Sequence, residues 1–321
     1  MGTEGGGIHP VKASTAYKRE HKADYGRERI RILYEDRDII VIEKPSGMLS
    51  VPYPGSKART ALETIEKILR GRGAWTKSHR PFVVHRLDRD TSGVMVFALS
   101  EAAQRKLMAD WHDGSTRKVY RAVAENPSGR QGGGQELPES GTIDQPLAEN
   151  AYHVAYVPDD GDGRRARAVR AVTRYRIVAR GPTHTLFELS LDTGKKNQIR
   201  AHLSFLGRPL AGDENYRART DPFHRLALHA RRLEFLHPMT GEKMSFEVPE
   251  DKSWLEYVEK GDARPESPVW KEERHHRRME EGMPDSVPKP NRRVSARERA
   301  HGSYTELASR TQRPSRRHQV H

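Results

Sequence analysis

The residues best equipped for chemistry sit in one short stretch, HRLDRDTSG, residues 85–93. Arg86, Asp88, Arg89 and Asp90 crowd four charges into five positions, directly after the apolar run PFVV (81–84). An ionised carboxylate at a strand end is a usable nucleophile or general base, and flanking cations favour its charged form. Arg86 and Arg89 are therefore expected to keep Asp88 ionised. Strand alternation places Arg86 and Asp88 on one face and Leu87 on the other. Asp90 opens DTSG, a run of turn formers. It is expected to hydrogen-bond its own backbone in a turn that also holds Ser92 and Gly93. His85 and Asp88 make a poor metal pair, because the same alternation puts them on opposite faces. A lone Arg-x-Asp is ordinarily a surface salt bridge, so the surrounding elements have to decide the matter.

Strand signals precede this loop at IRILYED (30–36) and DIIVIEK (38–44), with KPSGMLSVP (44–52) as a loop. TALETIEKILR (60–70) puts Leu62, Ile65 and Leu69 at helical spacing, closed by Gly71 and Gly73. GVMVFALS reads as a buried strand after the charged loop. Ser100 is an expected N-cap for EAAQRKLMADWH, with Glu101 in the first turn where the helix dipole favours it. RKVYRAVAE (117–125) returns as a strand. Residues 126–141 and 158–166 read as polar loops. Strands resume at AVTRYRIVA and THTLFELSL. NQIRAHLSFLG reads as a helix with Ile199, Leu203 and Leu206 on one face and Gly207 as its stop. RLALHARRLEFLH and KMSFEV follow as two strands joined by HPMTGE. Many strands and few helices, without regular alternation, predict an α+β domain around a mostly antiparallel mixed sheet flanked by helices.

Three regions are expected. Residues 1–28 form a flexible lead-in, 29–260 the folded domain and 261–321 a basic disordered tail. From residue 262 onward the chain holds six prolines, 14 Lys plus Arg and 9 Asp plus Glu, with few large apolar side chains. Such a segment cannot bury enough surface to offset its ordering entropy. The whole chain of 321 residues carries 57 Lys plus Arg against 44 Asp plus Glu, a formal charge of +13. That balance favours a polyanionic partner, nucleic acid before an acidic membrane surface. The chain contains no cysteine, which excludes disulfides, thiolate zinc sites and a cysteine nucleophile. Neither a signal-peptide core nor a run long enough to span a membrane is apparent, so a cytoplasmic location without membrane association is expected.

The nine residues of HRLDRDTSG together resemble the signature of RluA-type pseudouridine synthases. ILYEDRDIIVIEKPSGMLSVP is similar to the opening of that domain. RKVYRAV, GTIDQPL, LDTGKKNQIRAHLSFLGRPLAGDENY and RLALHARRLEFLHPMTGE resemble its later blocks in the right order. The resemblance covers about residues 30–250. It implies isomerisation of uridine to pseudouridine in RNA: the bond from ribose to base nitrogen 1 breaks, the base turns, and carbon 5 joins the ribose. No atom is gained or lost, so no cofactor is expected. The family's aspartate falls on Asp88, its basic partner on Arg200 and its active-site tyrosine on Tyr120, whose ring would stack on a flipped base. Arg86 matches the arginine that fills the gap left by the extruded nucleotide, which offsets part of the flipping cost. Whether Asp88 would act on sugar, base or the 2′ proton is left open.

RNA contacts are also expected from Lys195, Lys196, Asn197 and Gln198, and Arg89 is expected to make either an RNA contact or a salt bridge. Here the chain departs from the family, whose members commonly carry Arg and His where TGKKNQIR has Lys195 and Asn197. Lysine keeps the charge but loses the planar fork that grips a phosphate. A small RNA-binding domain precedes the catalytic domain in many relatives, and 28 polar residues are too few for one. The implied partner is ribosomal or transfer RNA, met by a monomer. The competing reading is a catalytically silent RNA-binding or ribosome-assembly factor on the same fold. The joint presence of Asp88, Tyr120 and Arg200 argues against it.

Overall fold

A computed structural model describes residues 30–53, 58–127, 136–159 and 161–262. The expected lead-in and nearly all of the expected tail lie outside the described residues, as does part of each polar loop.

The described chain starts with a hairpin, β1 (Arg31–Glu35) and β2 (Ile39–Lys44). Helix α1 (Ala61–Gly71), the short β3 (Phe82–Val83) and β4 (Ser92–Ala98) follow. Helix α2 (Glu101–Asp113) leads into β5 (Arg117–Glu125). Then come β6 (Ser140–Asp144), a small pair β7 (Ala148–Glu149) and β8 (Ala155–Tyr156), and the long hairpin of β9 (Val172–Arg180) and β10 (His184–Leu191). Helix α3 (Gln198–Phe205), β11 (Leu228–Leu236), β12 (Lys243–Glu247) and α4 (Ser253–Lys260) complete it.

One sheet runs in the order β1-β2-β4-β11-β5-β10-β9-β6, with β3 added to β4 and β12 to β11. Every pairing in it is antiparallel except that of β4 with β11. The expected α+β architecture with a mostly antiparallel mixed sheet is therefore the observed one. β4 is buried along its whole length, which explains why GVMVFAL is an unbroken apolar run rather than an alternating one. One layer of the core packs α1 (Ile65, Leu69) and α3 (Ile199, Leu203) on the sheet face of Ile40, Phe97 and Leu189. The opposite layer packs α2 (Ala103, Leu107) against Val41, Val96 and Phe235.

The helix ends follow local chemistry. Thr60 caps α1 and forms a reciprocal capping box with Glu63. Ser100 caps α2 as expected, accepting from the Ala103 N–H at 3.2 Å, and Gly114 closes it with φ of 85°. Gly207, with φ of 72°, follows α3.

Three expectations are corrected. The strand at PFVV pairs only over Phe82–Val83, so residues 84–91 leave the sheet as an irregular segment. Gly93 is not a turn residue but belongs to β4, beside Ala230 of β11. Its φ is 118°, and a Cβ there would lie 2.1 Å from the Ala230 carbonyl oxygen. Glycine is thus what lets the two parallel strands meet. Finally, β6, β7, β8 and α4 were not anticipated, and a single 3-10 turn, Arg165–Arg167, lies at the end of the second polar loop.

Candidate active site

The irregular segment 84–91 lines a cleft of about 700 Å³. The opposite wall is the stretch from Leu191 at the end of β10 to Arg200 in α3, and Lys118 and Tyr120 of β5 also line the space. Leu49–Val51 and Tyr53, from the loop after β2, complete the lining with Trp111 of α2. Tyr120, paired with Ala230 and Leu189, stands in the middle of the sheet and is held by both neighbours.

Two polar anchors hold the Asp88 segment. The Ser50 hydroxyl donates to the Leu87 carbonyl at 2.7 Å and accepts from the Leu87 N–H at 3.1 Å. Lys44, fully buried at the end of β2, donates to the carbonyls of Pro45, Met48 and Arg89 at 2.9, 2.7 and 2.9 Å. An ammonium offers three donors, so Lys44 ties the 45–48 loop to the chain just past Asp88. Gly47 adds its N–H to the same Arg89 carbonyl at 2.9 Å, and Ser46 donates to the Asp90 carbonyl at 2.8 Å. A tight turn then returns the chain to β4, with the Thr91 N–H on the Asp88 carbonyl at 3.2 Å.

Asp88 is the only carboxylate among the described residues lining the cleft, which also carries Arg86, Arg89, Lys118, Lys195, Lys196 and Arg200. Its carboxylate accepts no hydrogen bond from any described residue. Burial raises its pKa above the ordinary aspartate value, while the charges of Arg200, Lys196 and Lys44 pull in the other direction without winning. The cations that act on Asp88 thus come from remote elements, not from Arg86 and Arg89 as the sequence suggested. Arg86 is exposed at the rim. Arg89 grips Asp90 instead, Nε on Oδ1 at 3.0 Å and Nη2 on Oδ2 at 3.2 Å. Asp90 therefore takes a guanidinium, not its own backbone, and its charge adds to the rise in the Asp88 pKa.

Arg200 is buried, and its fork is occupied by a residue that sequence reasoning missed. Nε and Nη2 donate to the two oxygens of Asp213, and Nη1 donates to Asn197 Oδ1 at 3.0 Å. Burial works against the Arg200 charge, yet the bonds and charge of Asp213 outweigh it and raise the pKa further. Arg200 makes no ion pair with Asp88; its charge reaches Asp88 across the cleft. Tyr120 is buried, and burial together with the Asp88 charge raises its pKa, so it stays a neutral phenol.

His85 is stacked on Trp111, with ring centroids 4.6 Å apart, and its Nε2 accepts from the Val96 N–H at 3.2 Å. Burial, helped by the Lys118 charge, pushes its pKa down to about 3. It is a neutral wall of the cleft. A compact carboxylate–histidine group elsewhere, Asp36, Asp38 and His237, does not line the cleft. Asp36 there is engaged by the N–H groups of Asp38 and Ile39, the Tyr34 hydroxyl and His237.

A family model described as RNA pseudouridylate synthase matches residues 38–205. The uncharacterized RNA pseudouridine synthase YlyB of Bacillus subtilis is 34% identical over 229 residues, 71% of each chain. The chain belongs to the RNA pseudouridylate synthase family. Ribosomal large subunit pseudouridine synthase D of Pasteurella multocida is 34% identical over 244 residues, 72% of this chain and 70% of that one. Among solved structures, human RNA pseudouridylate synthase domain containing 4 shares the fold with a TM-score of 0.57 at 24% identity. That match covers 75% of this chain and 95% of the other.

The protein is accordingly an RNA pseudouridine synthase, an isomerase of uridine in RNA. All nine residues expected to serve this synthase line one cleft, but they do not present themselves alike. Lys195 and Lys196 are exposed at the rim, with Lys196 3.5 Å from Glu149 of β7. Asn197 adopts the left-handed conformation, φ 53°, which asparagine tolerates, and its side chain serves Arg200. Gln198 is buried and its amide is hydrogen-bonded within the fold. Oε1 accepts from Thr193 Oγ1 and the Lys195 N–H, and Nε2 donates to the Val172 carbonyl and Thr173 Oγ1, all within 2.8–3.0 Å. These bonds tie it to the loop before α3 and to β9. Asp213, Lys44, Trp111 and Lys118 are the cleft-related residues that were missed. Lys44 and Asp213 lie inside the family-like blocks EKPSGMLS and AGDENY, and only their spatial partners reveal what they do.

Proposed function

We propose that this synthase modifies a uridine of large-subunit ribosomal RNA, with Asp88 as the catalytic carboxylate and the target base flipped into the cleft. The observation that carries the reading is one carboxylate in a cleft that also carries six cations and neutral rings. The cations suit a strand of phosphates, and the carboxylate suits a reaction that breaks one glycosidic bond and forms another on the same sugar. Tyr120, a neutral phenol beside Asp88, is placed to stack on the extruded uracil. Arg200, locked by Asp213, supplies positive charge that favours ionised Asp88 once RNA closes the cleft. Arg86, exposed at the rim, suits the gap left in the RNA. The ribosomal substrate is supported by relatives named as large-subunit synthases, and no helix among the described residues is long and apolar enough to cross a membrane. A cytoplasmic enzyme acting as a monomer fits this reading.

Pseudouridine mapping of ribosomal and transfer RNA in cells with the gene, without it and with Asp88→Asn tests the proposal. One or more large-subunit sites should vanish in both altered strains. In vitro, Asp88→Asn should lose all isomerisation while its RNA affinity stays within about tenfold, because phosphate contacts dominate binding. Modification that persists in the variant would refute the role of Asp88. A lost site in transfer RNA alone would refute the ribosomal target.

A further inference from the structure

One cation of the cleft has no individual role in the reading above. Lys118 lines the cleft on β5, two residues before Tyr120. Its side chain is half-buried, and among the described side chains it has neither a carboxylate nor a hydrogen-bond partner. Burial lowers its pKa, and no described anion acts to restore it. An ammonium taken from water without a partner costs stability, and a chain with 44 acidic residues has placed none of the described ones beside it. What surrounds it is neutral: the Trp111 ring, whose centroid is 5.8 Å from Nζ, and the uncharged His85 stacked on that ring. On the far side is Gly194, where even a methyl group would come within 4.0 Å of Nζ. The ammonium is thus flanked by aromatic and backbone surface.

Resting on the reading of the cleft as an RNA site, the geometry points to Lys118 as the seat for one phosphodiester of the RNA strand, next to the flipped uridine. Strand side chains two apart share a face and are separated by about 7 Å, so Lys118 and Tyr120 point into the same space. A base stacked on Tyr120 brings a neighbouring phosphate within reach of Nζ. The phosphate supplies the missing counter-charge, and the Trp111–His85 stack keeps water and competing cations off that side. Lys118 is then a binding residue that distinguishes a polynucleotide from a free nucleoside, separate from the rim lysines 195 and 196.

The test is a salt titration of pseudouridine formation on an unmodified large-subunit ribosomal RNA transcript. It compares wild type, Lys118→Met and Lys118→Arg. The RNA concentration giving half-maximal modification should rise about tenfold in Lys118→Met, and the slope of log affinity against log salt should shrink by about 0.7, the loss of one single-strand phosphate contact. Lys118→Arg keeps the charge and should keep the wild-type slope. A slope in Lys118→Met equal to that of wild type overturns the inference, even if the variant is less or more stable. Failure of wild type to form pseudouridine on both this transcript and transfer RNA refutes the functional reading itself, and this inference with it.

Discussion

Arg200 gives its Nε and Nη2 to Asp213, at 2.7 and 2.8 Å, and not to Asp88. The Asp213 side chain is 1% exposed and that of Arg200 10%, so this is a buried, bidentate pair. The consequence is a fixed guanidinium whose charge is countered by Asp213 before RNA arrives. Asp88 is left free of direct contact, carrying a raised pKa and an unoccupied carboxylate.

Removing Asp213 strands the Arg200 charge in the protein interior. Breaking one side of a buried pair costs about 3–5 kcal/mol, so Asp213→Ala should unfold at clearly lower denaturant, with pseudouridine formation strongly reduced. Urea titration followed by far-UV circular dichroism reads the first effect. A midpoint equal to wild type would show that Arg200 does not depend on Asp213.

The raised pKa of Asp88 has two signs to check. On the proposed role, Asp88 acts ionised, so activity should fall as pH drops through a value above the ordinary aspartate range. Lys196 lowers that value, and Lys196→Gln should therefore shift the acid limb of kcat/KM to higher pH. For stability, an acid whose folded pKa is raised binds its proton more tightly when folded, so folding loses stability as pH rises from the ordinary value, about 3.9, through the raised one. At neutral pH, Asp88→Asn should be more stable than wild type, and the gap should close below about pH 3.9. Denaturant midpoints of the two proteins across that range measure it; a gap that widens in acid contradicts the assignment.

Gln198 separates a structural from an RNA-contacting side chain. Gln198→Leu removes the acceptor of the Lys195 N–H and of the Thr193 hydroxyl, and one of the two donors to the Val172 carbonyl, which keeps the Asp192 N–H, at a cost of about 1–3 kcal/mol. Thermal unfolding should register the loss. The salt slope of RNA binding should not change, because the amide neutralises no phosphate. A shallower slope would restore Gln198 as an RNA contact.

Much of this molecule was legible in its residues. Strands, helices and caps follow from local rules: Ser100 heads its helix because its hydroxyl reaches an open N–H, and β4 reads as buried because both of its faces are apolar. Asp88, Tyr120 and Arg200 were singled out by a resemblance carried on ordered blocks, and they do line one cleft. α4 escaped notice because SWLEYVEK is short, and only Trp254 and Val258 anchor it. β7 and β8 are two residues each, too short for periodicity to register.

The sequence by itself therefore determined the family, the class of fold and which residue types would meet. It could not say which charge acts on which, because electrostatics depends on distance and burial rather than on neighbours in the chain. Arg86 and Arg89 flank Asp88 in sequence, yet one is exposed at the rim and the other is held by Asp90. Arg200, Lys196 and Lys44 lie far along the chain from Asp88, and the tertiary structure brings their charge to bear on it. The same fold buries Gln198, ties Asp213 to Arg200 and leaves Lys118 half-buried without a described counter-charge. Those assignments exist only once the strands of the sheet have been brought side by side.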